Sequence, residues 1–514
     1  MKINTYIFSK DKTEENILNL LNQEFNIGPG ISLEIYNKYI SRHLNTLKDD
    51  LYFLAETKYV DKVYRDTYYK YYSSKYDTLD RHCIRISVFE GEITTSLFES
   101  KAGYSSIEEK YLGFYVLRPT WPYVIGRSVI SPKALKENSF ICCMSSFSTT
   151  ARGLQFKVNG FPHSSQDTET MTCAETSLWA IMEYFGNKYP EYNGSLPSKI
   201  INTLDEISIE RQLPSSGLDI NQMSYALKKF GFGSKIYSKE YFGEEFDRLL
   251  SCYVESGIPL IISMGNNKSG DDSIEHAVLV IGHKKITPSQ IDSIKPYTLK
   301  DKDTSPNFII YDYDRIEKDF IFVDDNCPVY QPASLSNPTV HYDEVEWQTL
   351  QINYFIAPLY PKIYLEATEA KRYIMYFISS TAEFLEDTEP TNPNIELDIR
   401  VFLASSRSYK ATMALCEDLE SRAKDYIIET PMPKFIWVAE ISNRQLIQED
   451  KADGLILLDA TEGNYKFQKP LIFAFILGKM FKFDKELSKL SYILLNLKPF
   501  EIYKNNLKAE KINS

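Results

Sequence analysis

Residues 164–186 read SSQDTETMTCAETSLWAIMEYFG, and the expectation for the whole chain grows from this segment. Thr172, Cys173, Ala174 and Glu175 have the spacing of a capping box, with Thr172 at the N-cap and Glu175 at the third helical position. Leu178, Ile181, Met182 and Phe185 then recur at helical intervals, and Gly186 supplies a stop. The spacing predicts a helix over about 173–185 that buries one apolar stripe and opens on a cysteine. Unpaired N–H groups and the helix dipole at that end favour a thiolate, the nucleophilic form of cysteine. An isolated cysteine is ordinarily a small buried hydrophobe, so the reading of Cys173 depends on its company. Gln166, seven residues upstream in a turn-like stretch, offers a side-chain amide that could donate to an oxyanion beside the Cys173 N–H.

Working outward, residues 160–360 place helices first and strands later, the order of an α+β domain. Helices are expected at about 173–185, 195–204, 219–230 and 243–256. Strands are expected at IPLIISM (258–264), HAVLVIGHK (276–284), FIIYDYD (308–314) and FIFVDDN (320–326). His276 enters its strand from the polar loop GNNKSGDDSIE (265–275), which suits a ring facing a cleft and makes it the candidate general base. His283, at the far end of the same strand, reads as a surface residue. FIFVDDNCP (320–328) offers Asp324, Asp325 and Asn326 as partners for the imidazole. Neighbours on a strand point to opposite faces, so alternation would let only one of the two acids reach His276.

With these pieces in view, the segment resembles the papain-like superfamily, and most closely the C39-like peptidases, which carry the order Gln, Cys, His, Asp. Gln166, Cys173, the stretch SGIPLI (256–261) and His276 to Gly282 match that pattern, and LDINQMSYALKKFGF (218–232) is similar to the family's second helix. The resemblance covers roughly residues 160–345. It implies a papain-like core, a cysteine hydrolase acting on a peptide or isopeptide amide, and a site of Cys173, His276, Asp324 and Gln166, with Asp325 as the alternative acid. Acyl transfer by the same triad, as in transglutaminases, and a catalytically silent interaction protein are the other readings.

The flanks divide by pattern. Leu33, Tyr36, Ile40, Leu44, Leu47, Leu51 and Leu54 have helical spacing, which predicts a helical region over 1–80. Short runs such as CIRISVF (83–89) and LQFKVNG (154–160) predict a β-rich module over 81–160. The catalytic domain is expected over 161–360 and a mixed α/β accessory domain over 361–514. A formal net charge of -12 works against non-specific nucleic-acid binding. The longest apolar runs, such as PLIFAFILGKMF (470–481), are shorter than a bilayer span. Seven scattered cysteines do not read as a disulfide framework, and no segment has metal-ligand spacing. The expectation is a cytoplasmic protein without cofactor, metal, nucleic-acid partner or membrane anchor, whose partner is a peptide or protein substrate; the sequence does not give its oligomeric state.

Overall fold

A computed structural model describes residues 3–509 except 78, 267, 269, 271–272, 300–306, 385–393, 464–469, 485–488 and 496. The chain is mixed α+β with three large sheets, mainly antiparallel. The first is built from β1 (Thr5–Ser9), β2 (Leu51–Tyr59), β3 (Cys83–Glu90), β4 (Tyr111–Leu117), β5 (Ser128–Ile130), β7 (Ser145–Ala151) and β8 (Leu154–His163), in the order β1-β2-β3-β4-β5-β8-β7. The strand β6 (Phe140–Cys143) leaves this sheet and joins the second.

The second sheet has the order β15-β14-β11-β10-β16-β9, formed by β9 (Gly233–Ser238), β10 (Leu260–Gly265), β11 (Glu275–Lys284), β14 (Phe320–Val323), β15 (Gln331–Ala333) and β16 (Gln351–Leu359). Its central strand β11 is buried on both faces apart from its ends, which is why it reads as a continuous apolar run. Gly282 lets two strands share one stretch of β11, pairing with both Cys142 and Ile321. A Cβ there would lie 2.0 Å from the Ile141 carbonyl oxygen, so only glycine fits.

The third sheet contains β12 (Tyr297–Leu299), β13 (Asn307–Asp312), β17 (Asn394–Ser405), β18 (Phe435–Ser442), β20 (Gly454–Asp459), β21 (Leu471–Ile476), β22 (Lys479–Asp484) and β23 (Lys489–Leu494), in that order. Short β19 (Lys451–Ala452) and β24 (Phe500–Glu501) pair with each other, and β25 (Leu507–Lys508) returns to pair with β6 of the second sheet.

The layers stack in a fixed sequence. The helix Cys173–Lys188 lies between the first and second sheets and contributes Leu178, Trp179, Ile181 and Tyr184 to one continuous core. The opposite face of the second sheet packs on helices Glu245–Glu255 and Ala367–Ser380, which also meet the third sheet. Helices Ser406–Leu415 and Ser421–Glu429 cover that sheet's far side.

Several expectations are corrected. The region 1–80 is not simply helical, because Thr5–Ser9 and Leu51–Tyr59 are strands of the first sheet. Leu51 and Leu54 have helical spacing, but most of Leu51–Tyr59 is buried on both faces between β1 and β3, so strand alternation leaves no mark there. FIIYDYD forms β13, which belongs to the third sheet and pairs in parallel with β17. His283 is 2% exposed and lies 2.9 Å from Glu255, so it is an interior residue. The stretch DTEPTNPN (387–394), turn-rich in composition, lies, but for Asn394, outside the described residues.

Candidate active site

Cys173 is the first residue of the helix Cys173–Lys188. The Glu175 carboxylate accepts from the Thr172 N–H (3.2 Å) and hydroxyl (2.5 Å), fixing the turn that presents the thiol. Ser177 one turn on donates to the Ala277 carbonyl (3.3 Å), which ties the helix to β11 beside His276. The thiol is partly exposed and stands near enough to the His276 imidazole, itself only 3% exposed, to favour its charged form.

Behind the imidazole stands Asp324, whose Oδ1 is 3.0 Å from His276 Nε2. Its other oxygen accepts from the Tyr342 hydroxyl (2.8 Å) and lies 3.4 Å from His341 Nε2. Trp347 meets the imidazole edge-on at 5.1 Å and stacks on Tyr342 at 4.8 Å. These two aromatic rings wall the His276–Asp324 bond against water, which strengthens it. Burial works against a charged His276, but the Asp324 carboxylate and the Cys173 thiol outweigh it and hold the ring well above its ordinary value. Burial likewise opposes a charged Asp324, yet His276 and His341 hold it well below the usual carboxylate range.

The strand β14 stops at Val323, so Asp324 and Asp325 sit in the turn beyond it and alternation does not apply. Both carboxylates approach the imidazole, Asp324 at 3.0 Å and Asp325 at 3.7 Å, and Asp324 makes the hydrogen bond. Gln166 donates to Asn326 Oδ1 (2.8 Å), which leaves its second amide hydrogen for another acceptor. Together Cys173, His276, Asp324, Asp325 and Gln166 therefore surround one imidazole and its adjoining turn.

Two supports come from the N-terminal sheet, which sequence reasoning did not connect to the site. Arg118, following β4 and 1% exposed, donates to the carbonyls of Ser165 (2.7 Å) and Gln166 (2.8 Å). Asp167 then accepts from the N–H groups of Glu169, Thr170 and Met171, and so fixes the run up to Cys173. His163, at the end of β8, donates from Nε2 to the carbonyls of Asp324 and Cys327, each at 3.1 Å, and clamps the acid turn. His341, Tyr342 and Trp347 were also missed; the aromatic-rich HYDEVEW (341–347) was the available signal.

Ligand-type atoms of His276, Asp324 and Asp325, and of Asp324, Cys327 and His341, lie within 4.8 Å of one another. His276 and Asp324 are committed to each other, and burial pushes the Cys327 thiol up, away from the anion a metal needs. That donor set suits proton transfer, and we assign no metal ligand among these residues. Among the described residues no helix is long and apolar enough to cross a membrane. No family model matches the chain, and no curated protein matches it.

Proposed function

We propose that the chain is a papain-like cysteine hydrolase of the C39-like type that cleaves a peptide or isopeptide amide. The observation that carries this reading is Cys173 at a helix start, beside an imidazole bonded to a buried carboxylate. Cys173 passes its proton to His276 and attacks the amide carbonyl carbon, forming a tetrahedral oxyanion. The Cys173 N–H and the free hydrogen of the Gln166 amide stabilise that oxyanion. His276 returns the proton to the leaving amine, and the C–N bond breaks to leave a thioester. Water, deprotonated by His276, then releases the acid and regenerates the thiol. Asp324 holds the ring in the tautomer and orientation both transfers require.

The test is intact-mass measurement after treatment with an electrophilic peptide probe. One adduct, located on Cys173 and absent from Cys173→Ala, is the expected result. A wild-type protein that stays unmodified, or labels equally at other cysteines, overturns the reading.

A further inference from the structure

Asp325 takes no part in the mechanism above, yet it occupies a costly position. It is 5% exposed, its Oδ1 is 3.7 Å from His276 Nε2, and among the described residues neither carboxylate oxygen has a hydrogen-bond partner. A buried carboxyl without a hydrogen bond recovers little of its lost solvation, and the one group offered to it here is His276, so its place points to that imidazole more than to packing. The groups around it are His276 from β11, Asp324 and Cys327 from its own turn, Glu175 from the helix Cys173–Lys188, Tyr123 from the segment after β4, and Tyr342. Of these, His276 is the group that a charge on Asp325 acts on most directly.

We propose that Asp325 is a positioning residue that sets the proton affinity of His276, and with it the pH range in which the site works. Its effect on turnover rests on the hydrolase reading; its effect on His276 does not. Burial pushes Asp325 up to about 7 against the pull of His276, with Asp324 and Glu175 adding to the rise. Below neutrality Asp325 is neutral, and Asp324 alone holds the imidazolium. Above it, a second negative charge stands 3.7 Å from Nε2, and the ring holds its proton more tightly. A tightly held proton is released less readily to a leaving amine, so the second carboxyl trades proton uptake against proton delivery. The two titrations belong to the group of residues and not to either one.

The experiment follows the His276 ring signals by NMR against pH in the full chain, with His276→Gln providing the assignment. In the wild type the curve should show an inflection near neutrality before the main step. Asp325→Asn, which keeps shape and cannot ionise, should erase that inflection and shift the main step downward, and Asp325→Glu should restore the inflection. A wild-type curve with a single step overturns the proposal even where the variants fold poorly, and so does an Asp325→Asn curve superposed on the wild type. If the variant curves behave as expected but the peptide probe leaves Cys173 untouched, the hydrolase reading falls and the Asp325 assignment stands.

Discussion

At the scale of single residues, the His276–Asp324 pair makes a pH prediction whose sign is fixed by the two shifts. The folded His276 binds its proton more tightly than an ordinary imidazole of 6.5, so its contribution to stability is complete below 6.5 and is lost as pH rises through the raised value. The folded Asp324 loses its proton more readily than an ordinary carboxyl of 3.8, so its contribution is complete above 3.8 and is lost as pH falls through the depressed value. The pair therefore stabilises the fold fully between 3.8 and 6.5, with losses on either side. Asp324→Asn should flatten the acid side of a melting-temperature profile and lower turnover by about 10²–10⁴, the range for losing an oriented base. On the proposed hydrolase reading, an Asp324→Asn variant with wild-type turnover would move the orienting role elsewhere. Cys173, His276 and Asp324 were legible as candidates because each stands at or just beyond an element end, whereas Gln166 lies in coil and was read from its place before Cys173. The choice between Asp324 and Asp325 was not legible, since it depends on β14 stopping at Val323.

At the scale of elements, the segment 164–172 carries Gln166 to the site, and it has no helix or strand of its own to hold it. Its geometry is borrowed from Arg118, whose Nη2 spans two successive carbonyls. Arg118→Lys keeps the charge but loses the rigid guanidinium plane, anchored through Nε on the Tyr123 carbonyl, that aims Nη2 at both oxygens. On the proposed hydrolase reading it should lower kcat by about 10–10² with little change in KM, because the amide it positions would act mainly in the transition state. Equal changes in both constants would assign Arg118 to folding alone. No local pattern could have revealed this link, since 47 residues separate Arg118 from Ser165. The same limit explains which elements were legible. The helices Cys173–Lys188 and Ile220–Lys229 carry capping boxes, Pro197–Asp205 opens on a proline, and the apolar stripes of all three match the spacing read from the sequence. β2 does not match, because it is buried on both faces, and β13 is a strand as read but has its sheet set by a distant parallel partner, β17.

At the scale of the molecule, the second sheet is joined to the third through a buried charge network centred on Glu255, the last residue of the helix Glu245–Glu255. Glu255 Oε1 accepts from Lys318 (2.8 Å) and lies 2.9 Å from His283 of β11, while Oε2 accepts from Arg400 of β17 (3.0 Å). Arg400 in turn donates to Glu440 of β18 (2.9 Å) and to the Tyr503 carbonyl (2.8 Å). Burial opposes a charged Glu255, but Lys318, His283 and Arg400 together hold it well below the usual carboxylate range. A single carboxylate thus neutralises cations contributed by both sheets. Glu255→Gln leaves Lys318 buried without its countercharge and Arg400 with Glu440 alone, and breaking such a buried pair costs about 3–5 kcal/mol. Because the packing of this helix is otherwise apolar, the loss should fall on the contact between the sheets before it reaches either core. Thermal unfolding of Glu255→Gln should begin at a lower temperature, with amide exchange in β17 and β18 rising ahead of exchange in β3 and β4. Replacing Arg400 by Met in the same chain should cost less than the sum of the two single changes, since each removes the other's unpaired partner. Additive losses, or exchange that rises uniformly across the three sheets, would mean that apolar contact alone couples the layers and that the network is incidental to it.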